Sequence, residues 1–291
     1  MPISILSLHT YPVKSCAGID HTSVAISESG LFLDRQWVVV DGNGIFLTQR
    51  QHARMALIQP RISSSCDLTL SAPGMPDMQV PWLTDSANPA PIPVRIWKAD
   101  TLGQDEGNTV ANWLSDFLGL PCRLLRVHPN AERHASLEHV EHWRAKYSDS
   151  SPDFPVHHRF GFADGFPFLI ANQSSLDDLN QRLQAKGLDA VPMNRFRPNI
   201  VLQGLDAFEE DYLSCIKTGA LTLATVKRCA RCPIPNIDQF TAVSAPEPGL
   251  TLAGYRQFPE GILFGVNAVV AGAKAGTTLR AGAQVDAEFD L

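Results

Sequence analysis

Residues 31–48 read LFLDRQWVVVDGNGIFLT. Trp37-Val38-Val39-Val40 is an aromatic and β-branched run, whose side chains suit a pleated, half-buried surface. Asp41-Gly42-Asn43-Gly44 supplies glycines that accept positive φ, as a hairpin turn requires. Ile45-Phe46-Leu47-Thr48 reads as the return strand. Working outward, residues 22–27 and 31–41 read as strands joined at Glu28-Ser29-Gly30. Residues 3–9 alternate as a short strand, which Pro12 stops because proline has no N–H for a ladder. Residues 55–62 and 67–71 read as two further strands. The stretch 72–93, with six prolines, reads as an irregular loop or sheet edge.

Val110, Ala111, Leu114, Phe117 and Leu118 fall at helical spacing and predict a helix over 108–118, with Gly119 as its cap. Residues 120–127 return to strand. The polar stretch 128–160 holds six of the nine histidines and reads as a surface excursion with a short helix near 135–147. A domain boundary is expected near its start. Ala163-Asp164-Gly165 reads as a turn before a strand over 166–171. A second helix starts at Ser174, with Leu176, Leu179 and Leu183 on one face, a Ser174–Asp177 capping box, and Gly187 at its end. Residues 199–203, 221–228, 262–271 and 283–289 read as strands. The tally is mainly β, with a β-barrel or α+β class favoured.

The 291 residues are 44% hydrophobic and 19% charged, the composition of a soluble globular chain with room for one large or two modest domains. A net charge of −6 argues against general nucleic-acid binding, which needs a basic surface. No apolar run approaches the ~18 residues that span a bilayer. The start, MPISILSLHTYPVKS, lacks a basic region followed by a long apolar one, so a cytoplasmic location is expected. Six cysteines are too sparse for a disulfide framework.

Cys229-Ala230-Arg231-Cys232 is the one close cysteine pair. A structural zinc site needs a second pair of ligands, and neither cysteine nor histidine follows Cys232. A thioredoxin-like pair needs a helix starting inside it, whereas Pro233 and Pro235 follow here. What remains is an activated thiolate at a strand end, flanked by Lys227, Arg228 and Arg231, or two unremarkable cysteines in a turn. Cationic neighbours favour the thiolate, and thiolates suit soft or redox-active metals. Lys14-Ser15, Arg35 and Arg197 sit in turn contexts where phosphates are commonly held, and each alone also reads as an ordinary surface residue. The histidines (His128, His134, His139, His142, His157, His158) read as a polar face, with no zinc-protease spacing. Neither a glycine-rich nucleotide loop nor a Gly-x-Ser-x-Gly elbow occurs.

Five segments, taken in order, carry a resemblance: Tyr11-Pro12-Val13-Lys14-Ser15-Cys16; Asp34-Arg35-Gln36-Trp37; Pro167-Phe168-Leu169-Ile170; Asn194-Arg195-Phe196-Arg197-Pro198-Asn199-Ile200-Val201; and Arg228-Cys229-Ala230-Arg231-Cys232. Together they resemble the MOSC proteins with an N-terminal β-barrel domain, the group that contains the mitochondrial amidoxime-reducing component and its bacterial relatives. The resemblance runs from near residue 3 to about residue 289. It implies two closely packed β-barrel-type domains, 1–120 and 121–291, with a few peripheral helices. It implies a molybdenum–molybdopterin cofactor with Cys232 as the metal ligand. Carried over by position, Lys14, Ser15, Arg35, Arg197 and Asn199 contact the pterin and phosphate, with backbone contacts from Gly165, Phe166, Ala230 and Arg231. Asp206 falls on an acidic position near the metal, suited to a proton relay.

The implied reaction is reduction of an N-hydroxylated or N-oxidised small molecule. The electrons come from a separate haem or iron–sulfur protein and its reductase. The chain departs from the family at three places. Gly165-Phe166 stands where threonine or serine is frequent. Pro233-Ile234-Pro235-Asn236 follows the ligand cysteine, and Asn267 replaces a frequent aromatic. With no cysteine after Cys232, a C-terminal iron–sulfur domain is not expected. The rival readings are a cofactor or sulfur carrier with a persulfide on Cys232, and a binding module whose cysteine pair is only structural.

Overall fold

A computed structural model describes residues 2–83, 90–147 and 153–290. In chain order the strands are β1 Ser4–Thr10, β2 Ile19–His21, β3 Ser23–Ser27, β4 Gly30–Leu31, β5 Trp37–Val40, β6 Gln59–Ile62, β7 Leu68–Ser71, β8 Met78–Val80, β9 Ile92–Ile96 and β10 Ala99–Asp105. They continue as β11 Arg123–Val127, β12 Phe168–Asn172, β13 Ile200–Gln203, β14 Leu213–Thr218, β15 Leu221–Ala230, β16 Gln257–Phe258, β17 Gly261–Gly272, β18 Thr278–Arg280 and β19 Asp286–Phe289. The helices are α1 Asn108–Leu118, α2 Leu137–Tyr147, α3 Gln173–Ala185 and α4 Gly249–Arg256. The class is mainly β with peripheral helices, as the sequence suggests.

The largest sheet runs β19-β14-β15-β17-β12-β13-β1-β2, with β16 branching from β17. A second sheet runs β5-β11-β10-β9, and two smaller ones run β18-β3-β4 and β6-β7-β8. β1 pairs with β13 and β3 with β18, so the chain start is woven into the second half. β11 pairs with β5 and β10, so the first half is completed by residues beyond 121. The division at residues 120/121 is therefore not a division of sheets. Ile5, Leu8, Ile170, Ile200, Leu223 and Val266 share one buried apolar cluster. Trp37, Val39, Ile58, Leu70, Leu114 and Phe117 share another, against one face of α1.

The stretch 31–41 is not one strand. β4 stops at Leu31, and Leu33 and Arg35 take left-handed backbone, with φ of 60° and 48°. The break lets the Arg35 amide donate to Tyr11 O at 2.9 Å and Arg35 O accept from the Phe162 amide at 2.8 Å. Gly161 permits that approach, since a Cβ there would stand 2.7 Å from Arg35 O. The Asp41–Gly44 hairpin forms, with Leu47 N–H donating to Val39 O at 2.8 Å. Residues 45–48 make only isolated bridges, because the Phe46 amide turns away to Arg95 O.

Residues 53–57 form a 3₁₀ turn rather than strand. β8 and the start of β9 lie within the expected loop 72–93, of which 84–89 fall outside the described residues. Asn172, not Ser174, caps α3, accepting the Ser174 amide at 3.2 Å. The Ser174 hydroxyl donates instead to Leu205 O at 2.7 Å. β12 and β13 run parallel, which requires a crossover, and α3 supplies it. Their starting ends face one cleft, and their finishing ends meet near Asn172 and Gln203.

Candidate functional site

The cleft is lined by Lys14, Ser15, Arg35, Gly165, Phe166, Arg197, Asn199, Arg231 and Cys232, which lie far apart in sequence. Phe46, Trp97, Asp164, Phe196, Cys229 and Asn267 also line it. The turns that deliver the polar side chains are strained. Ser15, Arg35, Arg197 and Trp97 have φ of 67°, 48°, 56° and 57°. A non-glycine residue held there costs on the order of 1–3 kcal/mol and persists only where its surroundings enforce it. At Ser15 the neighbouring bonds do so: Lys14 N–H donates to Trp37 O at 2.8 Å and Cys16 N–H to Val13 O at 3.1 Å.

Tyr11 lies between two guanidiniums. Arg35 Cζ is 4.3 Å and Arg197 Cζ 4.2 Å from its ring centroid, and its hydroxyl donates to Pro198 O at 3.1 Å. Burial pushes that hydroxyl up to about 12, so it stays a neutral donor. Arg35 is paired with the buried Asp34, and it donates to Arg197 O at 3.3 Å. Arg197 donates to Cys16 O at 2.7 Å and to Gln239 Oε1 at 3.4 Å. Burial lowers Arg197 to about 10, which leaves it charged at neutral pH. Arg231 donates to Phe196 O at 2.8 Å and to Cys229 Sγ at 3.1 Å, and its buried Nε has no partner among the described residues. Among the described residues neither Arg197 nor Arg231 forms an ion pair with a carboxylate. A buried charge without a counter-charge costs several kcal/mol, so this part of the cleft is built for an anion.

Lys14 differs. It is buried, and its Nζ donates to Asp164 Oδ1 at 2.6 Å. The Asp164 side chain is largely exposed, so partial desolvation raises its carboxyl only weakly, and Lys14 and the Trp97 N–H hold the group well below the usual carboxylate range. Burial, only partly offset by Asp164, lowers Lys14. Nothing in the sequence marks Asp164 beyond its place in a turn, although a lysine buried in the charged form needs such a partner.

Both thiols face the cleft, and the guanidinium between them contacts Cys229 rather than Cys232. The expected backbone contact from Arg231 is not available through its amide, which donates to Ile262 O at 2.7 Å. Ala230 is exposed, pairs with Leu263, and is not among the lining residues. Asp206 is also not brought to the cleft. It is exposed beyond the finishing end of β13, its amide donating to Glu209 Oε2 at 2.8 Å and its carbonyl accepting from Asn172 Nδ2 at 2.7 Å. At roughly 3.3 Å per strand residue, the length of β13 separates it from Arg197 and Asn199. Pro233 opens a 3₁₀ turn, Ile234–Asn236, whose Ile234 forms part of the wall. The histidines form no cluster of three or more metal-binding groups among the described residues.

The two-part architecture and this cleft define a protein class. Residues 3–121 match the MOSC N-terminal beta barrel domain and residues 157–286 the MOSC domain, and the chain belongs to that family. It is 34% identical over 263 residues to the mitochondrial amidoxime-reducing component 1 of Homo sapiens, covering 87% of this chain and 72% of that protein. The human mitochondrial amidoxime reducing component 2 is 32% identical over 259 residues, with the same coverage. Human molybdenum cofactor sulfurase is 31% identical over 250 residues, 82% of this chain but 27% of that protein. The crystal structure of the YuaD protein from Bacillus subtilis covers 98% of this chain and 94% of its own, at 8% identity and a TM-score of 0.39. Among the described residues no helix is long and apolar enough to cross a membrane.

Proposed function

We propose that the cleft holds a molybdenum–molybdopterin cofactor and that the protein reduces N-hydroxylated or N-oxidised small molecules. The observation that carries this reading is the meeting, in one cleft, of the buried Arg197 and half-buried Arg231 guanidiniums, without carboxylate partners among the described residues, and two thiols. The donor set suits the group. Phosphate is an acceptor for Ser15, Arg35 and Arg197, a soft metal is suited to the Cys232 thiolate, and the unpartnered Arg231 Nε is a donor left for a pterin heteroatom. When bound, such a cofactor supplies two-electron removal of oxygen from nitrogen.

The chain's own part is electrostatic and positional. Arg35 and Arg197, fixed against Tyr11, neutralise the anionic end. Cys232 anchors the metal, and Arg231 keeps the second thiol turned toward itself. Phe46, Phe166 and Phe196 shield the pocket from water, and Asn267 offers a polar contact to a substrate. Asp206 has no place in this scheme. The two proposed units, 1–120 and 121–291, each contribute cations to the one cleft. Electrons come from a separate haem or iron–sulfur protein with its reductase, in keeping with the amidoxime-reducing relatives. Six unpaired cysteines suit the reducing cytoplasm, where we place the protein.

The test is hydroxylamine or amidoxime reduction with an artificial reductant. Turnover should be present in the wild type and absent in Cys232→Ala. Equal turnover in both would overturn the proposal. A second reading, a cofactor or sulfur carrier with a persulfide on Cys232, is favoured by the sulfurase similarity. It predicts labile sulfur on the purified protein and no turnover.

A further inference from the structure

Asp164 belongs to the loop ahead of β12. The Arg133 guanidinium fastens that loop by its carbonyls, donating to Gly161 O at 2.8 Å, Ala163 O at 2.7 Å and Asp164 O at 3.1 Å. The backbone is thus fixed, but the carboxylate is not. The Asp164 side chain is 63% exposed, and a Cβ at the neighbouring Gly165 would meet nothing within 4 Å. Asp164 Oδ1 is held by two donors, Lys14 Nζ at 2.6 Å and Trp97 Nε1 at 2.8 Å. Trp97 stands at the tip of the β9–β10 hairpin, with Arg50 over its ring at 4.1 Å and the Phe46 ring edge-to-face at 4.8 Å. The contact therefore joins the β9–β10 hairpin to the loop before β12 across the cleft, on a lysine the binding reading assigns to an anionic ligand.

We infer that Asp164 is an internal anion occupying Lys14 until a phosphate-bearing ligand takes its place, with Trp97 holding the carboxylate in position. This rests on the reading of the cleft as a site for a phosphate-bearing cofactor. A phosphate on Lys14 with Asp164 still in place puts two anions against one ammonium, in a setting where like charges repel more than in water. Rotation of the Asp164 side chain into solvent relieves this. It needs no backbone movement, because Arg133 holds only carbonyls, and it breaks only the bonds to Lys14 and Trp97. Asp164 thereby sets how strongly the cleft draws anions, and Trp97 is a positioning residue acting through it.

The test is calorimetric titration of inorganic pyrophosphate into the full chain, purified from a host that makes no molybdopterin. Asp164→Asn keeps an acceptor for Trp97 and removes the charge; it should bind pyrophosphate about tenfold tighter than wild type. Trp97→Phe should bind about threefold tighter, and it carries the test with the same sign if Asp164→Asn does not fold. Adding Lys14→Ala should abolish both gains. Unchanged or weaker binding in Asp164→Asn and Trp97→Phe, with wild-type binding intact, overturns the inference alone. Absence of binding in every form overturns the anionic-ligand reading along with it.

Discussion

The parallel strands β12 and β13 have two ends, and both hide ionisable side chains from water. At the starting ends lie the buried Arg197 and the half-buried Arg231, held by carbonyls, a thiol and aromatic rings. At the finishing ends lies Glu210, fully buried. Ser175 Oγ donates to its Oε2 at 2.7 Å and Asn172 Nδ2 at 3.2 Å, while Oε1 has no partner among the described residues. Burial pushes that carboxyl up to about 7, despite the Ser175 bond, with Asp211 adding to the rise. A carboxyl can give up its charge within the physiological range, and a guanidinium cannot. At the finishing ends buried charge is paired, Asp211 with Arg256, or given up, as at Glu210; charge without a carboxylate partner is kept only at the end where a ligand can neutralise it. That contrast supports the site proposed at the starting ends of the strands and leaves Asp206, at the other end, outside it.

The largest effect expected is at Arg197. Arg197→Ala should lower cofactor content and reductase turnover at least about 100-fold, since a truncated charged partner in a buried network costs several kcal/mol. Retention of wild-type turnover would break the contrast at its cationic end. Tyr11→Ala should then cost about 3–5 kcal/mol of stability in urea unfolding, because the ring packs on both Arg35 and Arg197. A loss under about 1 kcal/mol would mean that the stacking contributes little.

Glu210 gives the next effect. Its carboxyl binds a proton more tightly when folded than when unfolded. Its contribution to stability is therefore greatest at acidic pH and falls as pH rises from about 4.5 toward about 7. The loss is up to about 3 kcal/mol, and Glu210→Gln should flatten that part of the stability–pH curve. An unchanged curve would show that Glu210 is ionised in the folded protein. Asp206→Asn, the smallest, should change turnover less than about twofold; a large loss would return Asp206 to the chemistry.

Much of the strand order was legible in the sequence, because β-branched runs and turn glycines mark strands locally. The break at Leu33-Asp34-Arg35 was not, because it is imposed by bonds to Tyr11 and Phe162 from distant parts of the chain. β2, β8, β9, β10, β14, β16 and β18 carry no clear strand signal: β2, β8, β16 and β18 are only two or three residues long, Pro93 interrupts β9, and Gly103, Ser214 and Lys217 interrupt the alternation of β10 and β14. The cationic side of the site was legible only through family resemblance. No spacing rule joins Ser15, Arg35 and Arg197; what they share is left-handed backbone, visible only once folded. Asp164 and Trp97 look like ordinary turn residues until the Asp164 carboxylate is seen to accept from both the buried Lys14 and Trp97.

The central claim is that Cys232 holds a molybdenum cofactor in this cleft. Molybdenum and pterin content, measured on protein purified from a molybdenum-replete host, tests it most directly. The account predicts stoichiometric metal and pterin in the wild type and in Cys229→Ala, and loss of the metal in Cys232→Ala. A metal-free wild type carrying labile sulfur on Cys232 would contradict it.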